Sequence, residues 1–439
     1  MTARAFVLGG GVAGIAAAFH AKDLGYAVTL IESHRWLGGR AFSRQDDKLG
    51  VEIDNGPHVV LGCYAEFRAL LRRIGTEQLF ERQPTLTLRL REVGGRLHEL
   101  RLPGLSPKLG LGLAALRFAG MGIGARLRLL RGAVAALFAG REEESLDAWL
   151  VRHRQHGAPR RFLWDPLCRA VANAPASAVS ARLFLATLLR ALGHGSAGAA
   201  IWFPRAGWSR VLGEPAASAL SREGVEVRLA TQVVGLEVES EQVRRVLLSD
   251  ANAIALGPQD AVVSALPWHQ VAKVLGDCAP TRMHQVPGSA ITTVHFAGMR
   301  VPDDGPLVCL VDGDPFHFVC RRPGAKADRV AVLASGDFPG STEVDAAIRL
   351  ARAQLARTFP GIDTSAGVAR VIRMPMATAV FGPKEAQGRF VPGRHPTVGN
   401  LWICGDATAT GVPSTLEGAA LSARTLAAGS RGLRPIARH

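Results

Sequence analysis

Apolar positions near the start of the chain come in short unbroken runs separated by glycine. "RAFVL" (4–8) is one such run, "GGGVAG" follows, and "IAAAFHAKDL" continues with an alanine-rich, helix-forming composition. Gly25 closes that stretch, and "AVTLIE" is a second apolar run. Runs that stay apolar, without in–out alternation, suit strands covered on both faces, as in a parallel sheet. The pattern predicts strand, turn, helix, strand. Near the other end, "NLWICGD" reads as a buried strand (401–404) and a Gly405-Asp406 turn, with a helix beginning near Ser414.

Two other readings of the apolar start fail. A secretion signal has a basic start, an apolar core and small residues at a cleavage site, which Arg4 and the alanines at 16–18 imitate. Three consecutive glycines (9–11) make a poor helical core, however, and the pattern runs on into the second strand. A membrane span needs about 18 apolar residues. Lys22 and Asp23 end the run before that.

The turn carries the first chemistry. Gly9-x-Gly11-x-x-Gly14 between a strand and a helix brings free amides and the positive helix end to one point, and only glycine lets a phosphate approach so closely. Glu32, at the end of the second strand, is 18 residues past Gly14, near the spacing of the acid that holds an adenosine ribose. This is a dinucleotide site. Just beyond it, Gly38, Gly39 and Arg40 offer more amides and a guanidinium to the same pyrophosphate. Asp406 is placed to accept hydrogen bonds from a polyol chain. The helix start at Thr415–Leu416 is placed to stabilise negative charge on a reduced ring. Nicotinamide has neither a ribityl chain nor an anionic reduced ring, so these features point to FAD.

Composition narrows the class. With 439 residues, 48% of them hydrophobic, the chain can bury a large core over two or three domains. Its cysteines (63, 168, 278, 309, 320 and 404) form no CxxC and no Cys/His ligand spacing, which argues against a metal centre or a disulfide framework and for a reducing cytoplasm. The net charge of +15 calls for an anionic partner. Nucleic acid is not expected, because there is no basic tail and no interleaved aromatic platform. The charge concentrates between Glu99 and Glu142, where Arg101, Lys108, Arg117, Arg126, Arg128, Arg131 and Arg141 are set among apolar segments with no acidic residue. Helices over 105–140 would suit the headgroup plane of an acidic membrane. A core-facing hairpin with solvated arginines is the alternative.

The glycine turn, Glu32, "GGR" at 38–40 and the late "GD" resemble the FAD-dependent amine oxidase and phytoene desaturase superfamily. Three further stretches, "DNGPHVVLGCY", "WDPLCRAVANAPASAVSARLFLATLLRALG" and "GDATATGVPSTLEGAA", resemble the hydroxysqualene dehydroxylases, the squalene-associated FAD-dependent desaturases, within it. The chain departs from that pattern at Ala409, where the family has an acid, and at "EGAALSA", where it has "EGAVRSG".

The resemblance implies an α/β fold: a discontinuous Rossmann-type FAD-binding domain (1–70, 206–280 and 372–430) and a mixed α+β substrate domain (71–205 and 281–371). The substrate domain is expected to be helical in its first part and strand-rich in its second. Val233 corresponds to the residue whose backbone meets the adenine. The implied substrate is hydroxysqualene, a lipophilic C30 isoprenoid alcohol, reduced to squalene by hydride from flavin, with an external electron donor restoring the reduced cofactor. The protein would work in the cytoplasm, peripherally on the cytoplasmic membrane. His58, in the loop this superfamily brings close to the flavin, is either a proton donor or a histidine bonded to backbone. Asp165 is either an acid keeping its proton in an apolar pocket or a helix cap before Pro166. Cys63 and Cys168 read as packing residues. Rivals are a carotenoid desaturase, a porphyrinogen oxidase, a flavin or lipid carrier, and an amine oxidase, for which Tyr26 and Tyr64 cannot build a tyrosine cage.

Overall fold

The computed structural model describes residues 2–103, 107–138 (side chains from 112), 143–280, 282–283, 285–427 and 432–433. Its first layer is a six-stranded sheet in the order Glu226–Arg228, Ala27–Ile31, Arg4–Leu8, Ala261–Ser264, Leu401–Ile403, Gly393–Arg394. All neighbours are parallel except the last pair. Ala5 lies opposite Val28 on one side and Ala261 on the other.

The unbroken apolar run of the first strand has its cause here. Ala5 and Val7 enter a core with the helices Val12–Asp23, Glu214–Arg222 and Leu416–Arg424. Phe6 and Leu8 enter another, under the antiparallel meander Val233–Glu239, Gln242–Leu248, Ala253–Ala255. With both faces covered, each large apolar side chain contributes about 1.5–3 kcal/mol by burial. Asn400 ties the meander down, since its amide both accepts from the Val243 N–H and donates to the Val243 carbonyl.

The second layer is a seven-stranded sheet in the order Val368–Ala379, Gly288–Ala297, Arg329–Ser335, Phe318–Cys320, Leu307–Val311, Thr87–Glu92, Leu97–Arg101. The helices expected in the first part of the substrate segment are preceded by strands at this sheet's edge. After residue 71 a short strand, Phe80–Arg82, and a hairpin, Thr87–Glu92 against Leu97–Arg101, come before any long helix. The hairpin's period-two pattern (Leu86, Leu88, Leu90) and the positive-φ Gly94-Gly95 turn are strand signals.

After the helix Pro107–Arg117, the helix Ile123–Leu137 packs by one side only. Ala114, Ala115, Phe118, Ala125, Leu129 and Ala136 are buried in a core with Trp149 and Phe162. No helix of the described residues is long and apolar enough to cross a membrane.

Candidate active site

The carboxyl ends of the parallel strands gather the glycine turns. Gly11 caps the helix Val12–Asp23, and a Cβ built on it would meet nothing within 4 Å. Gly14 is the opposite case: its Cβ would lie 1.8 Å from the Gly9 carbonyl oxygen, so no side chain fits there. Gly38 donates its N–H to the Gly10 carbonyl at 2.8 Å, and a Cβ on Gly39 would lie 3.1 Å from the Gly11 Cα. The two glycine runs therefore form one cradle. Buried Glu32 accepts from the Gly10 N–H at 2.6 Å and from the His34 N–H at 2.8 Å. The chain leading to Val233 passes beside it, with Thr231 N–H donating to the Glu32 carbonyl at 2.9 Å.

Arg40 goes elsewhere than the pyrophosphate assignment expects. Its guanidinium donates to Asp406 Oδ1 at 2.6 Å and to the Ala377 carbonyl at 2.8 Å, and lies over Trp268. Burial alone would raise the Asp406 carboxyl; Arg40 and the Ser414 hydroxyl more than offset it and hold it below the usual carboxylate range. Gly405, at φ 138°, makes the turn before Asp406. Thr415 caps the helix Leu416–Arg424 by accepting from the Gly418 N–H at 3.0 Å.

Two residues to which the sequence assigns no role hold this region. Arg389, buried, donates to the carbonyls of Val412 (2.7 Å), Asp406 (3.2 Å), Ala407 (3.4 Å) and Thr408, so one side chain fixes the loop after the Gly405 turn. Burial brings its guanidinium down to about 10. Glu417 accepts the Glu66 and Phe67 N–H groups at 3.1 and 3.0 Å, the amino end of the helix Ala65–Arg73, and pairs with Arg190. A carboxylate at a helix amino end meets both free amides and the positive dipole end.

The "DNGPH" loop meets the second sheet. Asn55 donates to Met374 Sδ at 2.9 Å, and the Asp54 carbonyl lies 3.0 Å from His295 Nε2. His58 Nδ1 is 2.6 Å from the Gly56 carbonyl, and its ring stands edge-on to Trp208. A carbonyl only accepts, so Nδ1 carries the proton; burial lowers the His58 pKa and keeps the ring neutral. From the other side comes Asn173, whose amide donates to the Ala290 carbonyl at 3.1 Å and to Thr378 Oγ1 at 2.7 Å. The "DNGPH" and "WDPLCRAVANAP" runs thus close on the same two strands, 288–297 and 368–379.

The apolar enclosure expected around Asp165 is not what the structure shows. Asp165 opens the helix Asp165–Ala172 and pairs with Arg160 Nε at 3.1 Å. It lines a cleft of about 440 Å³ with Arg160, Arg161, Arg169, His317 and Leu310. Partial burial raises its pKa against the pull of Arg160. It is no cap either, because helical turns already precede it from Arg160. Asp165 and His58 share no hydrogen bond. Cys63 and Cys168 are buried, and burial pushes their thiols up to about 11 and about 12.

A glycine cradle at the carboxyl ends of parallel strands, with an acid at the second strand, defines a dinucleotide-binding protein. The chain belongs to the family described as flavin containing amine oxidoreductase, which it matches over residues 12–429. It is an FAD-dependent oxidoreductase. A hydroxysqualene dehydroxylase of Rhodopseudomonas palustris is 28% identical over 96% of this chain and 97% of that protein. A zeta-carotene desaturase of Capsicum annuum is also 28% identical, over 41% of this chain and 33% of that protein. Among solved structures, an oxidoreductase from Methanosarcina mazei shares the fold, with a TM-score of 0.74 at 14% identity over 96% of this chain and 99% of that one. The cradle suits FAD: Gly11 leaves open space, and Ser264 Oγ and Thr410 Oγ1 are buried without a partner among the described residues.

Proposed function

We propose that the chain is a hydroxysqualene dehydroxylase, converting hydroxysqualene, a proton and a hydride into squalene and water. The observation that carries this reading is end-to-end similarity to a protein of that name, where the desaturase match covers less than half of the chain. The two family-specific runs closing on one pair of strands support it.

On this reading residues 1–70, 206–280 and 372–430 bind FAD, and 71–205 with 281–371 bind substrate. The Gly9–Gly14 turn and Gly38-Gly39 hold the pyrophosphate, Glu32 the ribose, the Val233 backbone the adenine, and Asp406 the ribityl chain. The amino end of the helix starting after Thr415 faces the ring. Bound and reduced, FAD supplies the hydride. The chain's share is to enclose a C30 tail, exclude water and give a proton to the departing hydroxyl. Neutral His58, its proton committed to Gly56, is an acceptor that orients the hydroxyl. Asp165, its carboxylate paired with Arg160 in a polar cleft of its own, is left out of this step.

Reduced protein under anaerobic conditions is expected to be reoxidised by hydroxysqualene, with squalene formed. Turnover of a carotene precursor in place of hydroxysqualene would give the desaturase reading precedence.

Asp406→Ala and Glu32→Ala are each expected to cost about 1.5–3 kcal/mol of FAD affinity, as a charged acceptor is lost to a buried hydroxyl. Flavin absorbance after gel filtration reads this directly; full occupancy in both variants would move the site elsewhere.

A further inference from the structure

We infer that the outward face of the helix Ile123–Leu137 is a docking surface for an anionic lipid bilayer. This holds whatever substrate the flavin serves. Ile123, Leu127, Val134 and Phe138 are 77%, 58%, 55% and 80% exposed. Their spacing of four, seven and four residues places them on one side of the helix. Leu116, at the end of the preceding helix, is exposed beside Arg117.

The opposite side of the same helix is firmly seated. Ala125, Leu129, Gly132 and Ala136 are buried, and Gln155 donates to the Arg128 carbonyl at 2.6 Å. Arg126 locks the turn between the two helices, donating to the carbonyls of Met121 at 2.7 Å and Leu116 at 2.6 Å. The apolar stripe is therefore held outward by a rigid hairpin.

Charge selects the occupant. Residues 100–141 carry seven basic side chains and no acidic one, and Arg117 and Arg131 are exposed. A second copy of the chain docking face to face through this stripe would set like charges against each other. A bilayer with acidic headgroups accepts the arginines, while the apolar side chains enter the acyl boundary.

The test is flotation of the FAD-loaded full-length chain with phosphatidylglycerol–phosphatidylcholine vesicles, against phosphatidylcholine alone, in low and high salt. The wild type is expected to float with the acidic vesicles, less so in high salt. Arg117→Glu with Arg131→Glu should weaken binding by roughly tenfold or more. Ile123→Ser, Leu127→Ser and Phe138→Ser together should abolish the salt-resistant part. Both variants should keep wild-type flavin content and melting temperature, since none of these side chains is buried. A wild type that stays at the bottom, or a serine variant that floats as the wild type does, would overturn the inference. So would a wild type that does not float but is a dimer which the serine variant dissociates, giving the face to a second copy.

Discussion

Arg389→Met is expected to release FAD and lower stability together. The side chain fills a buried site and satisfies carbonyls at four positions of the 406–412 loop. A buried carbonyl left without a donor costs about 1–3 kcal/mol. Methionine keeps much of the volume but donates nothing. The loss is partly offset, because the variant no longer buries a guanidinium whose pKa is already depressed to about 10. The net expectation is about 3 kcal/mol of folding stability. Function should suffer further, since Asp406 sits at the head of the loop. Arg389→Lys, which restores a charge but not four fixed donor directions, should recover only part of either property. A urea midpoint and a flavin-to-protein absorbance ratio measure the two effects. A methionine variant with wild-type values of both would show that the loop holds itself.

The second large effect is a pH dependence centred on His295. This residue is buried in the strand Gly288–Ala297, with Nε2 against the Asp54 carbonyl. Burial dominates over the nearby Asp54 and Asp46 carboxylates, with Arg322 adding to it, and draws the pKa from 6.5 to about 4. The folded chain therefore resists a proton that the unfolded chain takes up readily. The stability contribution is fully present above pH 6.5 and is lost as the pH falls towards 4. A displacement of that size corresponds to about 3 kcal/mol in total. The wild type should lose about 2–3 kcal/mol more than His295→Gln between pH 7 and pH 4.5, by urea titration at each pH. Parallel curves for the two proteins would mean that His295 accepts its proton in the folded state.

The parts of the site that were legible in sequence are those built by a continuous stretch of backbone. The Gly9–Gly14 turn, Glu32 and the Gly405-Asp406 turn lie where their spacing places them, since a phosphate cradle is a local property of strand, glycine and helix. Arg40 shows the limit. Its position beside Gly38-Gly39 was plain, yet its guanidinium is taken by Asp406, 366 residues away. The apolar pocket expected around Asp165 fails for a different reason: Arg160, Arg161 and Arg169 flank it in sequence, and only Asp312, Asp314 and His317 of the charged or titratable groups in its cleft come from the second sheet's side of the chain. Arg389 carried no signal, and Glu417 was visible only as part of the "STLEGAA" run with no role attached, because the groups each one satisfies belong to other segments. The 87–101 hairpin differs, as its period-two pattern was visible in the residues and a helical reading passed over it.

By itself the sequence determined the βαβ start, the cofactor class and the concentration of positive charge in 100–141. Those rest on backbone conformation, side-chain period and composition, all properties of neighbours along the chain. Tertiary structure alone decided that Arg40 meets Asp406, that His295 is buried beside Asp54, and that "DNGPH" and "WDPLCRAVANAP" close on the same two strands. It also decided which side of the helix Ile123–Leu137 faces out. Each of these depends on desolvation and on partners brought from distant segments, and both exist only once the layers have packed.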